Sequence, residues 1–209
     1  KRDFLDDEDH DLIFSATGNL FSKEQSSEFF NTTVLGPGAF DDQQTRTFFR
    51  ESVHTFKLDY THPFGDYWTA EGGFQYSSND VSNDYEIKDD VEGVWVINPG
   101  FTNVFEFTQN VLGLYAITAY ESDAWGMQLG LRAENTMVDT HLVNTNEKNS
   151  QDFTDLFPSV NTSYKFNNSF SLQASYSKRI YRPRLWDLNP FFNIRNSFNF
   201  RKGNPDLKA

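Results

Sequence analysis

Along much of this chain the apolar residues come one at a time, at every second position. Between Ser169 and Arg179, Phe170, Leu172, Ala174 and Tyr176 fall on one side and Ser171, Gln173, Ser175 and Ser177 on the other. Between Tyr67 and Ser78, Trp68, Ala70, Gly72, Phe74 and Tyr76 oppose Thr69, Glu71, Gly73, Gln75 and Ser77. Between Trp125 and Glu134, Trp125, Met127, Leu129, Leu131 and Ala133 oppose Gly126, Gln128, Gly130, Arg132 and Glu134. Period two is the mark of a strand with two unlike faces. Noisier versions run through Thr55–Thr61, Pro158–Lys165 and Leu12–Leu20, where Ile13 breaks the pattern. Around Val111–Tyr120 the alternation blurs, because Leu112 and Leu114 sit on the otherwise small or polar side. The pattern predicts about seven strands and an all-β, antiparallel up-and-down meander.

The predicted connections differ in length by end. Short turns fall at His62–Asp66, Glu121–Ala124 and Phe166–Asn168. Long polar stretches fall at Lys23–Thr45, Asn79–Asn103, Asn144–Thr154 and Ile180–Lys202. Short turns at one end and long loops at the other are the layout of a transmembrane barrel. The backbone explains why. Lipid offers no hydrogen-bond partner, so a sheet crosses it only by closing on itself, with about 9–11 residues per strand. The three clearest strands carry no charge on the apolar row, whereas Glu71, Arg132 and Glu134 lie on the other. A charge on the lipid row would cost roughly 2–4 kcal/mol at mid-membrane. Aromatics gather at all three short turns (Tyr60, Phe64, Tyr67, Trp68; Tyr120, Trp125; Phe166, Phe170), as amphipathic rings do at a membrane interface.

Composition narrows the choice. Only 37% of the 209 residues are hydrophobic, yet 17% are aromatic. A disordered chain would be poor in aromatics, and a helical membrane protein would show apolar runs of about 20 residues. A net charge of −12 repels phosphates and argues against nucleic acid. With no cysteine, disulfide frameworks and thiolate metal sites are excluded. His10, His54, His62 and His141 show no metal-ligand spacing. Acidic residues such as Asp80, Asp84, Asp89, Asp90 and Glu92 lack EF-hand spacing and read as solvated surface rather than a calcium site. No nucleophile elbow or phosphate-cradling loop occurs. No catalytic, cofactor or metal residues are predicted, and the chain does not read as an enzyme.

The last third carries recognisable motifs. They are Tyr176–Ile180, Arg182-Pro183, Asp187–Phe191 and Gly203–Lys208, preceded by Gly130–Glu134 and Leu156–Ser159. Together they resemble the barrel segment of TonB-dependent outer-membrane receptors, and within them the outer membrane protein β-barrel family. The resemblance covers Tyr115–Ala209; the first half is similar in style only. It implies residence in the cell outer membrane of a Gram-negative bacterium and contact with its lipid. It also implies import of a scarce ligand, a metal chelate or an oligosaccharide, energised by the TonB complex through an N-terminal plug. The motif residues have a local reading too. Asn189-Pro190 and Asn204-Pro205 initiate turns and Gly203 can take a positive φ. Pro183 lacks an N–H and ends strand pairing. Arg182, Pro183, Asp187, Asn189, Pro190, Gly203, Asn204 and Pro205 are therefore expected to shape a loop rather than touch ligand.

Residues 1–209 read as one partial barrel domain, a piece of a longer protein, with plug and further strands elsewhere. Alone it is expected to form an open, curved sheet. Two alternatives remain: a porin-like or structural outer-membrane barrel without TonB coupling, and a soluble carbohydrate-binding β-sandwich using Trp95 or Trp186.

Overall fold

The computed structural model describes residues 10–32, 34, 41–167, 169–189, 193–196, 199–201, 203, 204, 206 and 207. One antiparallel sheet dominates. Its strands are β1 (Asp11–Phe29), β2 (Gln43–Phe64), β3 (Trp68–Val91), β4 (Val94–Ile97), β5 (Asn103–Glu121), β6 (Trp125–Leu142), β7 (Glu147–Asn167) and β8 (Phe170–Ser177). The order is β1-β2-β3-β5-β6-β7-β8, with β4 paired to β3 off that path. This is an open antiparallel meander, as the alternation predicts. A four-residue helix, α1 (Leu185–Leu188), follows, and then β9 (Asn193–Asn196) and β10 (Asn199–Arg201) pair with each other. No second sheet covers the described apolar rows: Phe170, Leu172 and Tyr176 are 57–63% exposed. That is not the face-to-face packing a soluble sandwich requires.

Register explains which residues share a face. Trp68 pairs with Tyr120, Phe74 with Leu114 and Tyr76 with Leu112. Across the next ladders, Leu114 pairs with Ala133 and Leu129 with Val160. The outer row of every long strand therefore holds an apolar, uncharged stretch: Leu12–Leu20, Phe56–Phe64, Trp68–Tyr76, Leu112–Tyr120, Trp125–Ala133 and Leu156–Tyr164. Each stretch is nine residues long, or roughly 27 Å along the strand, the length needed to cross the hydrocarbon. The blurred segment resolves here. Leu112 and Leu114 belong to the lipid row, whereas Val111, Tyr115 and Ile117 face inward.

Beyond this belt the strands run on, so the long polar stretches are mostly not loops. β3 continues to Val91 and turns into β4 through Glu92 and Gly93, both at positive φ (54° and 85°), the geometry of a tight hairpin. The Asp90 carboxylate accepts the Gly93 N–H at 2.7 Å. β7 starts at Glu147, leaving only a short turn after β6. In these extensions the polarity of the two faces is reversed. Most outer residues are polar, among them Asp80, Asp84 and Glu86 on β3, Glu106 on β5, Asp139 on β6 and Asp152 on β7. Inner residues Val81, Phe105, Phe107, Val138 and Leu142 are buried and form the hydrophobic core.

Candidate functional site: a strap on the inner face

The chain leaves β8 and turns back across the inner face instead of continuing upward. This strap, residues 178–189, carries Arg182, Pro183, Asp187 and Asn189 of the motif residues. Its start is tied to β7, where the Lys178 N–H donates to the Pro158 carbonyl at 3.1 Å and the Lys178 ammonium lies 3.4 Å from Asp155. Its middle is tied to β6. The Arg182 guanidinium donates to Glu134 through Nη2 and to the Thr136 hydroxyl at 3.2 Å through Nε. Glu134 also accepts from Arg132. Its side chain is 11% exposed, so one nearly buried carboxylate serves two cations, as a buried charge must be paired. Arg132 in turn lies over Gly113 of β5, where any side chain would run into the guanidinium.

The end of the strap is held by packing. Leu185 and Leu188, spaced one helical turn apart, are 6% and 2% exposed and join the core of the upper inner wall. Burying one such side chain is worth about 1.5–3 kcal/mol. α1 is closed at its start by the Asp187 carboxylate, which accepts the Arg184 N–H at 3.0 Å and the Tyr181 hydroxyl at 3.1 Å. At its end the Asn189 N–H donates to the Leu185 carbonyl at 2.8 Å.

The second motif group docks on the first. Gly203 N–H donates to the Asn189 carbonyl and Asn204 N–H to the Asp187 carbonyl, both at 2.7 Å. A Cβ on Gly203 would lie 2.6 Å from the Asn189 oxygen and 2.7 Å from the Asp187 oxygen. The reason for glycine is thus close backbone approach, not the positive φ expected from sequence, which Gly203 does not adopt. The Asn204 side chain accepts the Asp206 N–H at 3.0 Å, and Asn149 of β7 donates to the Asp206 carboxylate at 2.9 Å. Arg182, Pro183, Asp187, Asn189, Gly203 and Asn204 thus form one assembly in which Pro183 and Asn189 are buried. Pro190 and Pro205 lie outside the described residues. Glu134, Thr136, Leu185 and Leu188 were not singled out as site residues in the sequence. Glu134 and Leu188 fall within the recognised motifs and Leu185 and Leu188 share a helical spacing, whereas Thr136 carries no signal in the sequence.

Elsewhere, strand pairing brings together residues that looked isolated. His10 and His62 approach at 2.9 Å between Nδ1 atoms, and the Tyr60 hydroxyl lies 3.0 Å from His10. This cluster sits at the short-turn end, beside Phe64. The aromatic girdle continues there through Trp68–Tyr120, Trp125–Tyr164 and Phe166–Phe170, with ring centroids 4.6–5.2 Å apart. Among the described residues no three His, Asp or Glu side chains converge as a metal-ligand set. On the polar outer extension, the Glu24 hydrogen bond and charge hold the Arg46 guanidinium above its ordinary pKa.

Comparison with known proteins agrees with this architecture. The fold is similar to that of a crystal structure of the ferric citrate transporter FecA in the unliganded form, with a TM-score of 0.56 and 16% identity. The likeness covers 81% of this chain and 25% of the transporter, so this chain corresponds to about a quarter of that protein's length. No curated protein matches the sequence. The profile of the outer membrane protein beta-barrel family matches residues 3–209. The chain therefore belongs to the outer membrane protein beta-barrel family, and its place is the outer membrane, with the apolar belt against lipid.

Proposed function

We propose that this chain is part of the wall of a TonB-dependent transporter that imports a scarce ligand, a metal chelate or an oligosaccharide. Energy would reach it from the TonB complex through a plug in the same protein. The observation that carries this reading is the strap. A segment with motifs resembling TonB-dependent receptors folds onto the inner wall and is fixed there by a buried carboxylate and a hydrophobic anchor. It covers part of the inner wall, which suits selective import better than free diffusion. The fold's likeness to the ferric citrate transporter supports the same reading. The work of such a protein is binding and movement, without covalent chemistry.

The test uses the whole protein in its own outer membrane. Uptake of labelled ferric citrate and of neutral oligosaccharides is measured with and without a functional TonB complex. Saturable uptake that disappears without TonB is the expected result. Uptake that is unsaturable and indifferent to TonB would make the protein a porin instead.

A further inference from the structure

The cluster of His10, Tyr60 and His62 has no part in the strap or the inner wall. Tyr60 and His62 are two positions apart on β2, so strand alternation puts both on one face. His10 comes one step before the Asp11–Thr61 pair, which sets it across from His62. Leu12 pairs with Tyr60 and Ala70 with His62, so the cluster continues the outer row and points away from the bore. It lies at the lower rim of the belt, by the short turns that mark the periplasmic side of a barrel. There Phe64 meets the His62 ring edge-on at 4.2 Å.

Three donor atoms form a triangle. The His10 and His62 Nδ1 atoms are 2.9 Å apart, and the Tyr60 hydroxyl is 3.0 Å from the first and 3.3 Å from the second. Hydrogen bonds serve such a triangle incompletely. With both imidazoles neutral, one Nδ1 can donate to the other and the phenol can donate to the accepting nitrogen, but the third edge has no proton of its own. A metal ion takes all three lone pairs at once. Ligand atoms about 2.0–2.1 Å from a tetrahedral ion stand roughly 3.3 Å from one another, close to the observed edges. Two imidazoles and a phenol oxygen suit copper(II) or zinc, and suit calcium and magnesium poorly, since those ions prefer all-oxygen sites. Because the third donor is a phenol, no set of three His, Asp or Glu marks the place among the described residues. The histidines also lie 52 positions apart, so no local ligand spacing signals them. We propose that His10, Tyr60 and His62 bind a divalent transition-metal ion, copper(II) more tightly than zinc, at the periplasmic rim of the lipid belt. Each imidazole keeps its proton on Nε2, the phenol releases its proton to solvent when copper binds, and the fourth position is open to water. The ion clips β1 to β2 where the wall leaves the membrane, independently of any imported ligand.

The test uses the full-length protein, purified in detergent without a histidine tag and stripped with chelator. Copper(II) and zinc are titrated by calorimetry, and the copper form is read by electron paramagnetic resonance and visible absorption. Copper should bind more tightly than zinc, with hyperfine coupling to two imidazole nitrogens and a phenolate-to-copper absorption band. His10→Gln and His62→Gln should each weaken copper about a hundredfold. Tyr60→Phe should abolish the band and leave both nitrogen couplings, while His54→Gln and His141→Gln should change nothing. Unchanged heat-modifiable gel mobility verifies that each variant assembles, and the spectra of the unaltered protein test the site even where one does not. Absence of binding, bound copper without nitrogen coupling, or binding that survives the combined His10→Gln and His62→Gln change overturns the site. A band that survives Tyr60→Phe also overturns it, because the phenol is then not a ligand.

Discussion

The two halves of one strand differ more than any two strands do. On β3, the stretch Trp68–Tyr76 puts its apolar residues outward and Glu71 and Gln75 inward. A few residues later Val81 and Ile87 point inward, while Asp80, Asp84 and Glu86 point outward. The backbone does not change; the strand period and its ladders run straight through. What changes is the medium on each side. In the belt, lipid is outside and a wet bore inside, so the outer row is apolar. Above the belt, water is outside and the strap inside, so the ordinary arrangement of a soluble protein returns. The crossover near Ser77–Asn79 on β3 and Asn135–Thr136 on β6 marks the upper membrane boundary.

The comparison fails if a large apolar residue counts equally on both faces above the belt. Phe105 is 1% exposed on the inner face, and Phe105→Ala should cost about 3–5 kcal/mol. Thermal unfolding of the intact protein in detergent should show a large fall in Tm. Met137, on the outer face five positions nearer the crossover and 43% exposed, should accept Lys with little change. If Met137→Lys were as damaging as Phe105→Ala, the upper outer face would be buried in lipid or partner and the crossover misplaced.

In the belt the preference should reverse. Leu129→Arg and Leu172→Arg place a charge against lipid, at roughly 2–4 kcal/mol near mid-membrane. Loss of the heat-modifiable band in an assembly assay is expected. Gln128→Arg and Gln173→Arg, one residue away on the inner face, should assemble normally. Equal tolerance of both pairs would refute the assignment of faces.

Much of the belt was legible because lipid enforces a simple rule on single residues. Trp68–Tyr76 and Trp125–Ala133 keep every charge off the outer row, over a length that matches the hydrocarbon. The extensions were harder to read. Asn79 and Asn83 interrupt the inner apolar row of β3, and the outer row is as polar as a loop. Val81, Tyr85 and Ile87 kept the period, but with reversed polarity and diluted by acidic neighbours. The motif residues were legible as turn formers. Their assembly was not, since Arg182 meets Glu134 across 48 positions of sequence and His10 meets His62 across 52. The β1–β2 register brings the second pair together, and the fold-back of the strap the first.

The strap depends on the inner face at the crossover, so Glu134 is the next place to strain the comparison. Glu134→Gln keeps the shape but removes the charge that Arg132 and Arg182 share. Hydrogen bonds to a charged group are worth about 1.5–3 kcal/mol, enough to loosen the strap while Leu185 and Leu188 still hold α1. Limited trypsin digestion should then cut faster after Arg179 or Arg184. Cleavage unchanged from the native rate would show that the hydrophobic anchor alone fixes the strap.

The smallest effect should come from the outer face above the belt, and its smallness is informative. Arg46 and Glu24 pair at 2.8 Å, but both side chains are more than half exposed. Two long side chains held together in water gain little, because solvent and salt screen them. Arg46→Gln should therefore leave Tm unchanged at moderate salt, with at most a slight fall at low salt. A large loss would mean that this surface is shielded from water, by lipid headgroups or by a partner, and the crossover would have to move up the strand to include it. The insensitivity of Arg46 and the sensitivity of Leu129 thus bound the membrane from opposite sides, through residues on the same outer face.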